Sequence, residues 1–426
     1  MKKHRLENTS STADPTSARD LKQFTDITCY PNSVELDEKR RTSWGKTVLT
    51  LEAKITSDAF DDKSKRLWEK RDRKSTETRG QMINHATQII GKQHRLFLIN
   101  VWISKTGCRF FRWDRAGAVV TEAFNLETDG HLLTNFLHAF DKLDEFQQGM
   151  DPRAHKLDPA NVDDRLLEEW AKRVFRHSVP HVLQEHAYDV VKLDVPSRGS
   201  EVSANRPKYR QFLVQYIISE PRSPIGRGTK GFPALEVPTD LTLVRELVHL
   251  DVGDDTSIKE FVCKHFKADL RFLKDAWRSV ANEMEMEKES ELLETLRSKK
   301  CVNIPTFVCG GDLDENGDDD SEIRDSPAKS HQQTHTDLCV TKQWNRNRDD
   351  GVNKVEPRRH HRFVVKEFCM PIYLLPDARA LLTAVSDAFN GQRRSLLLYH
   401  NLTIVQGTSL RSRSERYCIG TSLLGT

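Results

Sequence analysis

A lysine on the apolar side of a strand and a glutamate in the apolar stripe of a helix, fifteen residues apart, constrain the fold of this chain most. In Leu270-Arg271-Phe272-Leu273-Lys274-Asp275-Ala276-Trp277, strand alternation puts Leu270, Phe272 and Lys274 on one face. Downstream, Met286, Glu289, Leu293 and Leu296 recur at helical steps, so Glu289 shares a stripe with leucines. Either charge turned inward alone is costly, and the two together are tolerable. Two readings stay open: a strand lysine paired with a helix glutamate, or a snorkelling lysine and a helix whose buried face lies elsewhere.

The chain has 426 residues, room for two or three domains. Charged residues make up 30% and the mean hydropathy is -0.63, which predicts unstructured segments beside folded cores. A net charge of +3 gives no bulk electrostatic argument for a nucleic-acid or membrane partner, and neither is expected. Eight cysteines, scattered from Cys29 to Cys418 without a C-x-x-C pair, suit reduced thiols better than a disulfide framework. With no signal-like apolar run at the start and none of membrane-spanning length, an intracellular protein is expected.

Periodicity divides the chain into an α+β arrangement. Residues 1–20 read as a polar, unstructured tail, and 21–150 as an α/β module. The module has strand-like pieces at Phe24–Pro31, Thr47–Ile55 and Leu96–Ile103, and a hairpin around Asp114-Arg115-Ala116-Gly117. Helices are expected over 79–93 and around Leu132–Phe140. Residues 151–206 read as a helical connector and polar linker, with Leu166, Leu167, Trp170, Val174 and Phe175 on one stripe. A second folded part covers 207–309 with an insertion near 238–268. Residues 310–360 read as an unstructured acidic and basic insertion, 361–400 as a strand and first helices of a further lobe, and 401–426 as an irregular tail.

Three constellations could carry chemistry. Asp26 followed by Glu52-Ala53-Lys54 resembles the spaced Asp and Glu-x-Lys of the restriction-endonuclease-like fold, with Gln81 compatible. That resemblance implies a divalent cation such as magnesium on Asp26 and Glu52, with Lys54 steadying an attacking water. A structural relic or a protein-interaction module fits the same residues. Gly226-Arg227-Gly228-Thr229-Lys230-Gly231 is a complete G-x-G-x-x-G, and Pro233 just after it argues against a helix opening there. His331, His335 and Cys339 recur at four-residue steps, a spacing read as coincidence rather than a zinc site.

Several blocks together resemble the fungal-type protein kinase domain family. In the first half these are Arg79-Gly80-Gln81, Gln93-His94-Arg95 and Arg112-Trp113-Asp114-Arg115-Ala116-Gly117. In the second they are the glycine motif, Phe272-Leu273-Lys274-Asp275-Ala276-Trp277-Arg278, Glu287-Lys288-Glu289 and Val365-Lys366-Glu367. The resemblance implies a protein-kinase-like N-lobe, ATP and magnesium as cofactors, and phosphoryl transfer to Ser or Thr hydroxyls of a protein substrate or partner. It makes Gly226, Gly228 and Gly231 the phosphate loop, Lys274 the phosphate anchor, Glu289 its helix partner, and Glu367 to Met370 the hinge against adenine. The chain departs from the family pattern near its end. No His-Arg-Asp and no Asp-Phe-Gly triplet occurs, so no catalytic residue is assigned and an incomplete C-lobe is expected.

Overall fold

A computed structural model describes residues 1–11, 13–14, 24–36, 42–54, 58–62, 69–105, 107–184, 187–197, 208–280, 288–314, 331–339, 355–369 and 371–399. Among the described residues it holds two sheets and seven helices, a mixed α+β architecture. The first sheet runs in sequence order: β1 (His4–Asn8), β2 (Ile27–Pro31), β3 (Leu49–Ala53), β4 (Leu98–Ser104), β5 (Gly107–Asp114) and β6 (Gly117–Val120). Neighbours are antiparallel except β3 and β4, whose parallel pairing needs a crossover, supplied by α1 (Arg73–Lys92). Asp72 caps α1 by accepting the Ser75 N–H at 2.9 Å, and Met82, Ala86, Ile89 and Ile90 face the sheet against Leu98, Trp102 and Phe111. The other face, with Leu49, Leu51 and Val101, packs under α2 (Leu126–Lys142) through Phe136 and Phe140. Strand β4 is thus covered on both sides, as its continuous apolar run predicts.

The first residues are not a loose tail. Strand β1 extends the first sheet, and Asp141 at the end of α2 accepts the Lys3 and His4 N–H groups at 3.1 and 3.0 Å. An edge strand tied by a carboxylate needs few apolar side chains, so composition hides it.

The second sheet is antiparallel throughout, in the order β12-β13-β11-β10-β9-β8-β7. Its strands are β7 (Ala154–Lys156), β8 (Ala187–Pro196), β9 (Tyr209–Tyr216), β10 (Lys230–Glu236), β11 (Arg271–Ser279), β12 (Phe307–Asp312) and β13 (Arg358–Val365). Residues 151–206 are therefore not a helical connector: besides α3 (Val162–Ser178) they contribute β7 and β8 to this sheet. Along β8, Val191, Leu193 and Val195 alternate with Lys192 and Asp194, a strand pattern that the sequence carries despite the connector expected there. The linker expected after Ser197 lies outside the described residues. The insertion near 238–268 forms α4 (Thr242–His249) and α5 (Asp255–His265), which pack with α3 into one cluster containing Trp170, Phe175, Leu247 and Val262. It loops out without disturbing the strands that flank it, and β10 and β11 pair with Gly231 opposite Lys274.

Two more helices complete the fold, α6 (Glu289–Ser298) and α7 (Ala378–Tyr399). Along α7, Ala384 is buried while Leu382 and Phe389 are exposed. Parts of the expected unstructured stretch 310–360 are ordered. Strand β12 runs through Asp312, residues 331–339 end in a 3-10 turn, and β13 starts at Arg358. The 331–339 segment is held by buried polar residues such as Gln332 rather than by large apolar ones, so its composition resembles that of a loop. Residues 315–330 and 340–354 and the 401–426 tail lie outside the described residues. No described helix is long and apolar enough to cross a membrane.

Candidate functional site

Lys274 and Glu289 meet. Lys274 Nζ lies 2.7 Å from each carboxylate oxygen of Glu289, the first residue of α6. Lys274 shares its strand face with Phe272, and its Nζ sits 5.7 Å from the ring of Phe363, its cross-strand partner. Beneath the pair, Leu293 of α6 packs with Phe307, Phe363 and Val365, which seats the helix on the sheet. Met286, expected on the same helical stripe, lies outside the described residues. Glu289 remains 31% exposed, so the pair contributes at most about 1 kcal/mol to stability. Its value is an ammonium group held in one place.

The glycine motif closes the β9–β10 hairpin above this pair. Gly226 and Gly228 take positive φ of 97° and 51°, conformations that favour glycine. Gly231, at the start of β10, leaves room for the Phe272 ring, which a Cβ would approach to 2.7 Å. On the inner side of the loop, Arg227 accepts the Trp277 N–H at 2.7 Å and reaches Glu289 with Nη2 at 3.3 Å. A fixed ammonium below a glycine loop suits the oxygens of a phosphate chain. Glu367, expected at the hinge, uses its side chain differently. Its carboxylate accepts the Thr306 N–H at 2.7 Å, and Met370 lies outside the described residues. A cavity of about 470 Å³ opens elsewhere, between α3 and β9, lined by Lys172, Arg176, His177 and Tyr216.

The opposite face of β11 carries a second constellation, which periodicity did not single out. Asp275 and Arg362 are direct cross-strand partners, both buried, with Arg362 Nη2 3.0 Å from Asp275 and 2.8 Å from Asp151. Arg362 Nη1 also donates to the carbonyls of Arg153 and Asp194 at 3.0 and 2.8 Å. His360 contacts Asp275, hydrogen-bonds Gln332 at 2.6 Å and stacks on Trp277 at 4.6 Å. Burial pushes Asp275 up, but His360 and Arg362 outweigh it and hold the carboxyl well below its usual range. From the connection between α1 and β4, His94 comes within 4.0 Å of Asp275, and the Gln93 carbonyl accepts Lys230 Nζ at 2.5 Å. Burial lowers His94 to about 3 and Lys230 to about 7. The α1–β4 connection thus reaches the buried polar network of the second sheet. The available signal was an acid (Asp275) between Leu273 and Trp277 on one strand face.

Asp26, Glu52 and Lys54 also converge. Lys54 Nζ stands 2.5 Å from Glu52 and 3.7 Å from Asp26, while Gln81 donates to Glu52 at 2.8 Å. The Ala53 N–H donates to Asp26 at 2.9 Å, and His85 lies 3.8 Å from Glu52. Burial raises the Glu52 pKa against the pull of Lys54. The ammonium of Lys54 occupies the space between the carboxylates, and two acids with one histidine at 3.8 Å are a sparse cation set. His331 contacts Asp314 at 3.3 Å, and no cluster of three or more possible metal ligands occurs among the described residues.

A family model described as fungal protein kinase matches residues 64–244 and 258–405. No curated protein and no solved structure matches the chain.

Proposed function

The chain belongs to the fungal protein kinase family, and from that membership we propose that its second sheet binds ATP between the glycine loop and the Lys274–Glu289 pair. The observation that supports this reading best is the 2.7 Å contact of Lys274 Nζ with both Glu289 oxygens, one strand away from Gly231. In protein kinases a strand lysine held by a helix glutamate anchors the α- and β-phosphates under a glycine loop. Here Gly226, Gly228 and Gly231 shape the loop, Glu289 orients the ammonium, and Lys274 presents positive charge to the phosphates. In active protein kinases, ATP with magnesium supplies the phosphoryl group that passes to a Ser or Thr hydroxyl. The sequence has neither His-Arg-Asp nor Asp-Phe-Gly, so the residues present do not fit the kinase magnesium site and offer no base for the acceptor hydroxyl. The reading is therefore nucleotide binding without transfer by this chain. ATP with magnesium is expected to raise the melting temperature, while labelled ATP leaves the chain unlabelled. An unchanged melting temperature would remove the reading, and label on the chain would remove its inactive half.

The convergence of Asp26, Glu52, Lys54 and Gln81 carries a second reading, magnesium-dependent phosphodiester cleavage by the first sheet, which requires the Lys54 ammonium to give way to the cation. Cleavage of supercoiled plasmid with magnesium that disappears in Glu52→Ala is its expected result. Intact plasmid with the unmodified chain would reduce the four residues to an ion-paired structural cluster.

A further inference from the structure

Arg115, at the turn between β5 and β6, is where the first sheet grips the glycine loop. Its Nη1 donates to the carbonyls of Ser223 and Pro224, each at 3.2 Å, and its own carbonyl accepts the Gly226 N–H at 2.8 Å. The guanidinium lies so close to Gly228 that a Cβ there would fall 2.2 Å from Cζ and 2.5 Å from Nε and Nη1. The missing side chain at Gly228 therefore makes room for an arginine of the other sheet. The turn is secured from behind by Asp114, which accepts the N–H groups of Ala116, His335 and Thr336 at 2.9, 2.8 and 2.9 Å. Arg115 is buried, and its Nε finds no acceptor among the described residues.

We infer that Arg115 is a positioning residue for the nucleotide loop: through the Asp114–Gly117 turn, the first sheet holds residues 223–228 over the Lys274–Glu289 pair, and the second sheet's affinity for nucleotide depends on that hold. The inference rests on the nucleotide reading above. A glycine-rich loop left free would lose much backbone entropy when a ligand ordered it. Here the ordering is done during folding. Contacts run unbroken from Arg115 through Ser223, Pro224 and Gly226 to Arg227, and from Arg227 to Trp277 and Glu289. The glycine spacing thus serves two neighbours, phosphates on one side and an arginine on the other.

Calorimetric titration of ATP with magnesium into the full chain tests this. Arg115→Met is expected to weaken ATP binding about tenfold, and Arg115→Lys to fall between it and the unmodified chain. Arg109→Met serves as the comparison, because Arg109 is equally buried in the first sheet but pairs with Asp58 and Asp62, away from the loop. It should stay within about twofold of the unmodified chain. Undiminished binding in Arg115→Met overturns the inference alone, as does an equal loss in Arg109→Met, which would mean general loosening. No binding by the unmodified chain overturns the nucleotide reading and the inference with it. If Arg115→Met does not fold, amide exchange in the unmodified chain decides. ATP with magnesium must slow exchange at 114–117 together with 223–231, and protection of the loop alone overturns the inference.

Discussion

Arg362→Met is expected to lower stability by about 3–5 kcal/mol, because it leaves two carboxylates buried without their shared cation. Arg362 is fully buried and its guanidinium reaches Asp151, Asp275 and the carbonyls of Arg153 and Asp194. Methionine fills similar space but offers no donor. Neutralising both acids in the same variant should recover part of the loss, since the penalty lies in the unpaired charges rather than the missing arginine. Asp275 and Asp151 are both held below the ordinary carboxylate range, so their contribution is present above about pH 4 and fades as pH falls through their folded values. Arg362→Met weakens that depression, and acid unfolding should begin at higher pH. Urea unfolding at neutral pH measures the main effect. A loss under about 1 kcal/mol would show that the network is not coupled in this way.

Lys274→Met should leave the fold within about 1 kcal/mol of its starting stability, since the Lys274–Glu289 pair is partly open to solvent. Nucleotide binding should fall far more, by about 2–5 kcal/mol, because the substitution removes a positive charge aimed at phosphate oxygens and leaves Glu289 facing them. At a hundredfold excess over its dissociation constant, ATP with magnesium adds about 2.7 kcal/mol to the unmodified chain, and the variant should show almost none of it. A retained thermal shift in Lys274→Met would move the nucleotide away from this lysine. Loss of the fold would instead make Lys274 a structural residue.

The Lys274–Glu289 contact was legible because both residues break a local pattern, a lysine among Leu270 and Phe272, and a glutamate among Leu293 and Leu296. Strand β4 was legible from an unbroken apolar run, and α1 from Met82, Ala86, Ile89 and Ile90. Strands β1 and β7 were not, because their polar residues are satisfied by distant partners such as Asp141 or by the neighbouring strand. The ionic network escaped for the same reason. Asp275 was readable as an inward acid, but its cation comes from another strand and Asp151 from before the second sheet begins. Gly228 read as a phosphate-loop glycine, and the arginine beside it is 113 positions earlier, out of reach of any local pattern.

The buried pairing of Asp151 with Arg362 joins residues 211 positions apart. During synthesis the first sheet and Asp151 leave the ribosome long before their cation exists. At the usual pace of about 5–20 residues per second, that acid waits roughly 10–40 s for its arginine. Strands β7 to β12 emerge in the meantime, with Asp275 among them, before β13 arrives to take its place beside β11. Until then Asp151 and Asp275 lack the guanidinium they share, so their buried contact closes only once β13 is in place. Strand β13, the last described strand, is the one that completes the contact.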